Sequence, residues 1–299
     1  MRIAVLGDIH GNLPALEAVL ADVELHAADR VIVNGDSVNR GPQGDAVMAR
    51  VELLAREMTL GNHDDLLCRL VDDDGGLPDD FRRRPFWEAN RWCARQLVDS
   101  RHLESLRGLP MTIAIDPPGA PRVLVSHGSP RHFREGYGRF TTDEVISEIV
   151  EMHPADVLVG SHTHRPLARR WGRVSVLNTG AVGSPFNGDP RAQYLLLTLA
   201  GGVWVPTFRR IVYDVDAALE AYSATGYLAA GGLLASLFHD EVRDARSYLV
   251  PFQMWSEERG HALEDESWER FRRAVPDRFG ASRPRPTVSE SVPADSDTA

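Results

Sequence analysis

Short apolar runs alternate with amphipathic stretches through the first 200 residues. "RIAVLG" (2–7) reads as a buried strand and "NLPALEAVLADVELHA" (12–27) as the helix after it. Asn12 stands where an N-cap belongs, Pro14 lies near the first turn, and Leu13, Leu16, Leu20 and Val23 recur at helical spacing. "RVIVNG" (30–35) and "EMTLGN" (57–62) repeat the strand pattern around a second helix, "GDAVMARVELLARE" (44–57). This β-α-β-α-β beginning predicts a parallel sheet with crossover helices.

A charged loop over 72–85 then leads into a predicted amphipathic helix over 86–107, which carries Trp87 and Trp92. Six further strands are predicted: "MTIAI", "RVLVS", "DVLVG", "VSVLN", "AQYLLLTL" and "VWVPTFRRI". Turn signals such as "DPPGAP" and "AGG" between them point to some antiparallel pairing. The expected class is α/β, with two mixed sheets packed face to face and helices outside. One large domain spans 1–213, and 72–107 forms an insertion long enough to cap a substrate. A helical C-terminal extension follows over 214–281. The Pro-, Ser- and Asp-rich stretch 282–299 is expected to be a disordered tail.

Composition narrows the function. The 43 acidic and 33 basic residues give a net charge of −10, unlike a protein coated for nonspecific DNA binding. Every basic residue is Arg. The absence of Lys excludes a P-loop lysine, a Schiff base and pyridoxal-phosphate chemistry. No apolar run reaches the ~20 residues of a membrane span. The N-terminus lacks a signal-peptide layout, and two cysteines, Cys68 and Cys93, make no disulfide framework. A cytoplasmic protein is the expectation.

The polar residues gather where strands end. Asp8 and His10 follow the first, Asp36, Asn39 and Arg40 the second, and Asn62, His63 and Asp64 the third. His127 follows "RVLVS", and His162 and His164 follow "DVLVG". Alone, each fragment has a plainer reading: Asp8 as a helix cap, "GNHD" as a tight loop, His127 as a structural histidine. Together, five loops distant in sequence should converge on one sheet edge, where open α/β sheets bind ligands. Carboxylate, amide oxygen and imidazole suit Mn²⁺, Fe, Zn²⁺ or Co²⁺ better than Ca²⁺ or a dedicated Mg²⁺ cage. Seven ligands are too many for one such metal with an open position. They fit two metals ~3.5–4 Å apart sharing a carboxylate, the arrangement that clamps a phosphoryl group.

The motifs "GDIHGN", "GDSVNRG", "GNHD", "SHGSP" and "GSHTH", in this order, resemble those of the calcineurin-like metallophosphoesterase superfamily. "NTGAVGSPFNGDPRAQY" (178–194) resembles the bacterial branch related to diadenosine tetraphosphate hydrolases and small phosphodiesterases. The resemblance implies a four-layer α/β/β/α sandwich with a dinuclear centre at the sheet edge. Asp8, His10 and His164 would hold one divalent ion, and Asn62, His127 and His162 the other, with Asp36 bridging. Mn²⁺ or Fe is expected ahead of Zn²⁺, Co²⁺, Ni²⁺ or Mg²⁺. A hydroxide between the metals would attack phosphorus, and His63 would protonate the leaving oxygen.

Two positions depart from the protein-phosphatase branch. Asn39 replaces the aspartate that orients the catalytic histidine, and Leu60 replaces an arginine before "GNH". Arg40 remains to help bind phosphate. The expected substrate is therefore a small phosphorylated, nucleotide-like compound rather than a phosphoprotein. The rival expectations are a serine/threonine-type protein phosphatase, a DNA nuclease and a non-catalytic scaffold of the same fold. Weaker candidates for substrate contacts are Arg131, Arg134, Asn187 and Arg191, while Trp87 and Trp92 read as core.

Overall fold

The computed structural model describes residues 1–54, 57–73 and 75–279; the tail expected over 282–299 lies outside the described residues. Ten strands form two five-stranded mixed sheets. The first holds β1 (Arg2–Leu6), β2 (Arg30–Asn34), β3 (Glu57–Thr59), β9 (Ala192–Ala200) and β10 (Val203–Ile211), in the order β10-β9-β1-β2-β3. The second holds β4 (Thr112–Ile115), β5 (Val123–Ser126), β6 (Val157–Gly160), β7 (Pro166–Trp171) and β8 (Val174–Thr179), in the order β4-β5-β6-β8-β7.

The period-two alternation of each strand decides what fills each layer. Ile3 and Val5 of β1 face the second sheet, meeting Val123, Val125, Val157 and Val159. Ala4 and Leu6 point the other way, into the core under α1 (Leu13–Leu25) and α2 (Gly44–Leu54). On the second sheet, Leu124 and Leu158 turn outward onto Ile146 and Ile149 of α7 (Asp143–Met152). The four layers expected from the sequence are therefore present.

Several elements differ from the sequence reading. "GNHD" opens a helix, α3 (Asn62–Asp72), because the Asp64 carboxylate accepts from the Gly61 amide at 3.0 Å and caps its start. Residues expected as loop over 72–85 include a short helix, α4 (Asp79–Arg83). The helix expected over 86–107 is α5 (Glu88–Ser100) and α6 (Leu103–Leu106), broken where Arg101 turns left-handed at φ 65°. β7, an edge strand bearing two arginines, carried no apolar alternation to announce it.

Helices α8 (Val215–Ala224), α9 (Tyr227–Asp244), α10 (Leu249–Arg259) and α11 (Asp265–Ala274) follow β10. They are not a separate layer on the back of the sandwich. α8 packs on α1, α9 packs on α5, and Tyr222, Phe238, Phe252 and Trp268 join the core shared with the first sheet. No helix among the described residues is long and apolar enough to cross a membrane.

Candidate metal centre and active site

Parallel pairing of β1 with β2, and of β5 with β6, delivers their C-terminal ends to one edge. Asn34, the last residue of β2, knits that edge together. Its Nδ2 donates to the Ser126 carbonyl at 2.9 Å and to Ser161 Oγ at 2.8 Å, while its Oδ1 accepts from Thr59 Oγ1 at 2.8 Å. Ends of both sheets are thereby fixed to one buried amide. The sequence reading missed Asn34, since nothing in its local pattern marks it.

The backbone at this edge is strained. Seven of the eleven non-glycine residues with positive φ among the described residues lie here: Asp8, His10, Asp36, Asn39, Arg40, His162 and His164. Each costs on the order of 1 kcal/mol or more, and such clustering is typical of functional sites. The sharp turn of "GSHTH" is thus made by the histidines themselves. Gly160 serves space instead, since a Cβ there would lie 2.6 Å from Tyr137. Gly61 is equally constrained, because a Cβ would come within 2.1 Å of Asp36 Oδ1.

Asp8, His10 and His164 bring one ligand atom each within 4.8 Å of one another, and so do Asp36, His127 and His162. Asp36 Oδ2 lies 3.7 Å from His10 Nε2 and 3.3 Å from His127 Nε2, so it faces both groups. Asn62 Oδ1 is 3.2 Å from His127 Nε2. The sequence-predicted ligands therefore converge.

The acceptors around each ring indicate its tautomer. His10 Nδ1 faces the Val38 carbonyl at 3.3 Å and His164 Nδ1 faces the Ser184 carbonyl at 2.5 Å. A carbonyl only accepts, so both Nδ1 atoms carry the proton and both Nε2 atoms present lone pairs. Yet the two Nε2 atoms face each other at 3.2 Å. Two lone pairs at that distance repel unless a cation lies between their directions. His127 Nδ1 likewise faces a carbonyl, that of Asn34, at 2.9 Å, and its Nε2 faces Asp36 and Asn62. Histidines that ligate metals typically donate their other ring N–H to a carbonyl or carboxylate in this way.

The carboxylates agree. Asp8 Oδ1 and Asp36 Oδ2 are buried with no hydrogen-bond partner, while their other oxygens accept from the His162 and His63 amides at 3.0 and 2.8 Å. Burial pushes the Asp8 carboxyl well above its ordinary range. Burial pushes Asp36 upward too, but His127, with His63 and His10, outweighs it and holds Asp36 well below. His127 is lifted to about 10, because Asp36 and Asp8 overcome the opposing effect of burial. Two buried acids asking for positive charge, beside imidazole lone pairs, fit divalent metal ions.

His63 stands at the N-terminus of α3. Asn39 Oδ1 accepts from the Arg40 amide at 2.9 Å, so its Nδ2 faces His63 Nδ1 at 3.0 Å and donates to it. His63 then carries its proton on Nε2. Burial first, then the nearby Arg40 and histidines, lower its pKa to about 3 against the pull of Asp36. Asp64, which the sequence reading placed in the loop without a role, ties two loops together by accepting from the Asp36, Gly61 and Val38 amides.

A cavity of about 930 Å³ opens from this centre. Asp36, Arg40, Asn62, His63, His162 and His164 line its inner end, and Arg134 and Asn187 also reach it. Arg131 and Arg191 do not line it. Arg131 is paired with Glu135 and Glu148, and Arg191 with Asp189, so their guanidinium groups are already satisfied. Trp92 packs against Tyr227, whereas the buried Trp87 also lines the cavity.

A family model described as calcineurin-like phosphoesterase matches residues 1–166. The chain belongs to the calcineurin-like phosphoesterase family. It is accordingly a phosphoric ester hydrolase of a family that works with divalent metal ions. A metallophosphoesterase from Sphaerobacter thermophilus is 29% identical, with a TM-score of 0.59 over 77% of this chain and all of its own. A hypothetical protein from Pyrococcus horikoshii shares the fold at 17% identity, with a TM-score of 0.65 over 83% of this chain and 99% of its own. An uncharacterized protein of Methanocaldococcus jannaschii is 24% identical over 233 residues, 73% of this chain and 90% of that protein.

Proposed function

We propose that this phosphoesterase is dinuclear and hydrolyses a phosphodiester, phosphoanhydride or phosphomonoester bond of a small, nucleotide-like substrate. The observation that carries this reading is Asp36. Its unpartnered Oδ2 faces imidazole nitrogens of both ligand groups, where one carboxylate oxygen can serve two cations. Asp8, His10 and His164 would hold one ion, and Asn62, His127 and His162 the other. Bound divalent ions supply positive charge to the phosphate oxygens and acidify a water for attack.

The chain's own groups complete the site. His63, in the neutral tautomer that Asn39 selects, would donate a hydrogen bond from Nε2–H to the leaving oxygen as charge develops on it. Arg40 lines the same cavity; its Nη2 is paired with Glu241 but its Nε has no partner, so the N–H groups left over by that pair would face the phosphate. The cavity volume far exceeds a phosphate and matches a nucleotide-sized ligand. Phe81, Trp87 and Asn90 from the 72–107 insertion, and Phe238, Leu249 and Val250 from the C-terminal extension, close over it. Both segments act as substrate caps in this reading.

Metal analysis joined to hydrolysis of bis-p-nitrophenyl phosphate tests it. Two divalent ions per chain and metal-dependent turnover are expected. A single ion at full activity, or turnover that survives chelation, contradicts the dinuclear reading.

A further inference from the structure

The cavity has a second polar end. In this acidic chain most arginines among the described residues are paired with a carboxylate, including neighbours such as Arg131 with Glu135, Arg169 with Asp143 and Arg191 with Asp189. Arg134, Arg139, Arg165 and Arg278 have no carboxylate partner among the described residues, and all four line the cavity. They come from three distant segments: the loop between β5 and α7, the loop after β6, and the turn after α11. All four are exposed, whereas Asp36, His127 and His164 are buried, so the arginines mark the cavity's outer end.

Arg139, Arg165 and Arg278 stand close enough for the charge of each to bear on the others. Arg139 is held over the Phe140 ring at 4.4 Å, which leaves that exposed aromatic at the cavity wall. Gathering like charges without counter-charge is unfavourable, and an anion reverses the sign. Apolar side chains, Leu66, Phe81, Trp87 and Leu249, line the same cavity and suit a carbon body.

We infer that Arg139, Arg165 and Arg278, with Arg134 beside them, form a subsite for a second phosphate group of the substrate. The ligand is then a bisphosphorylated compound, with one phosphate at the metal ligands and the other at the arginine rim. Guanidinium forks on several sides match a phosphate's multiple acceptor oxygens better than a lone carboxylate's two. The inference rests on the phosphoesterase reading for the inner phosphate only.

Phosphonates with an uncleavable C–P bond separate the two questions. Metal-loaded wild-type protein is titrated calorimetrically with hexylphosphonate and with hexane bearing a phosphonate at each end. The bisphosphonate should bind at least about tenfold more tightly, as expected for charged hydrogen bonds. The double variant R139Q/R165Q should lose that advantage, keep its affinity for the monophosphonate and keep its melting temperature. R139K/R165K, which restores the charge, should recover part of it. Equal or absent binding of the two ligands by wild type, or an undiminished gap in R139Q/R165Q, overturns the subsite. Hydrolysis of bis-p-nitrophenyl phosphate by the same preparations reports separately on the phosphoesterase reading. Turnover without a bisphosphonate advantage sinks the subsite alone; a bisphosphonate advantage without turnover sinks the hydrolase reading and leaves the subsite standing.

Discussion

Arg40, in the loop after β2, forms a buried ion pair with Glu241 of α9, 201 residues away in sequence. The two side chains are 6% and 0% exposed. Glu241 also accepts from the Tyr248 and Leu249 amides at 2.6 and 2.9 Å, and Tyr222 Oη donates to the Arg40 carbonyl at 3.0 Å. The guanidinium lies over the Phe238 ring, 4.7 Å from its centroid. The C-terminal helices thus hold in place an arginine that lines the cavity. Glu241→Gln strands that charge in the interior and should cost about 3–5 kcal/mol. Urea denaturation measures this; a loss below about 1 kcal/mol would show that Arg40 finds compensation elsewhere.

Asp36→Asn tests the shared ligand. The amide oxygen can still accept from the His63 amide, so the loop keeps its shape, but one negative charge disappears from between the two ligand groups. Bound metal should fall to one ion per chain or fewer, with turnover lost. Plasma emission analysis of the purified variant measures it, and two tightly held ions would contradict bridging.

His63→Ala should leave the metal content near normal, because its ring belongs to the cavity wall and hydrogen-bonds Asn39. Turnover should fall by about 10²–10⁴-fold, the usual range for loss of a proton-donating group. Steady-state kinetics on a poor and a good leaving group distinguish the role. The loss should be smaller when the leaving oxygen needs no proton, as with p-nitrophenolate; an equal loss on both argues for phosphate binding instead.

Cys68 and Cys93 are buried free thiols, each pushed up to about 12 chiefly by burial. At pH 8 only about one in 10⁴ is thiolate, the reactive form. Native protein should therefore react negligibly with a disulfide reagent at pH 8, while protein unfolded in urea should release two equivalents. Rapid reaction of either thiol in the native state would mean that α3 or α5 opens readily.

Much of the site was legible because metal chemistry restricts residue type and the strand ends restrict position. Asp8, His10, Asp36, Asn62, His127, His162 and His164 each stand just past a strand or at a helix start, and parallel pairing gathers them. Asn39 was legible, through the resemblance, as a partner of His63, whereas nothing in the sequence announced the pairing of Arg40 with Glu241. Arg131 and Arg134 looked alike in sequence, three residues apart, yet one is spent on two glutamates and the other faces the cavity. Helix α3 escaped notice because its start is set by Asp64, a capping carboxylate that equally suits a loop.

The sequence alone determined the alternating strands and helices, the α/β class with two mixed sheets and helices outside, and a set of candidate ligand residues at the strand ends, since periodicity and residue chemistry are local properties. Tertiary structure alone decided the rest. It imposed left-handed backbone on seven site residues, set imidazole lone pairs face to face, paired Arg40 with Glu241 and closed two distant segments over one cavity. Each of these costs free energy locally, through strain, repulsion or desolvation. They persist because packing elsewhere offsets that cost, and no local pattern records a balance struck between residues so far apart.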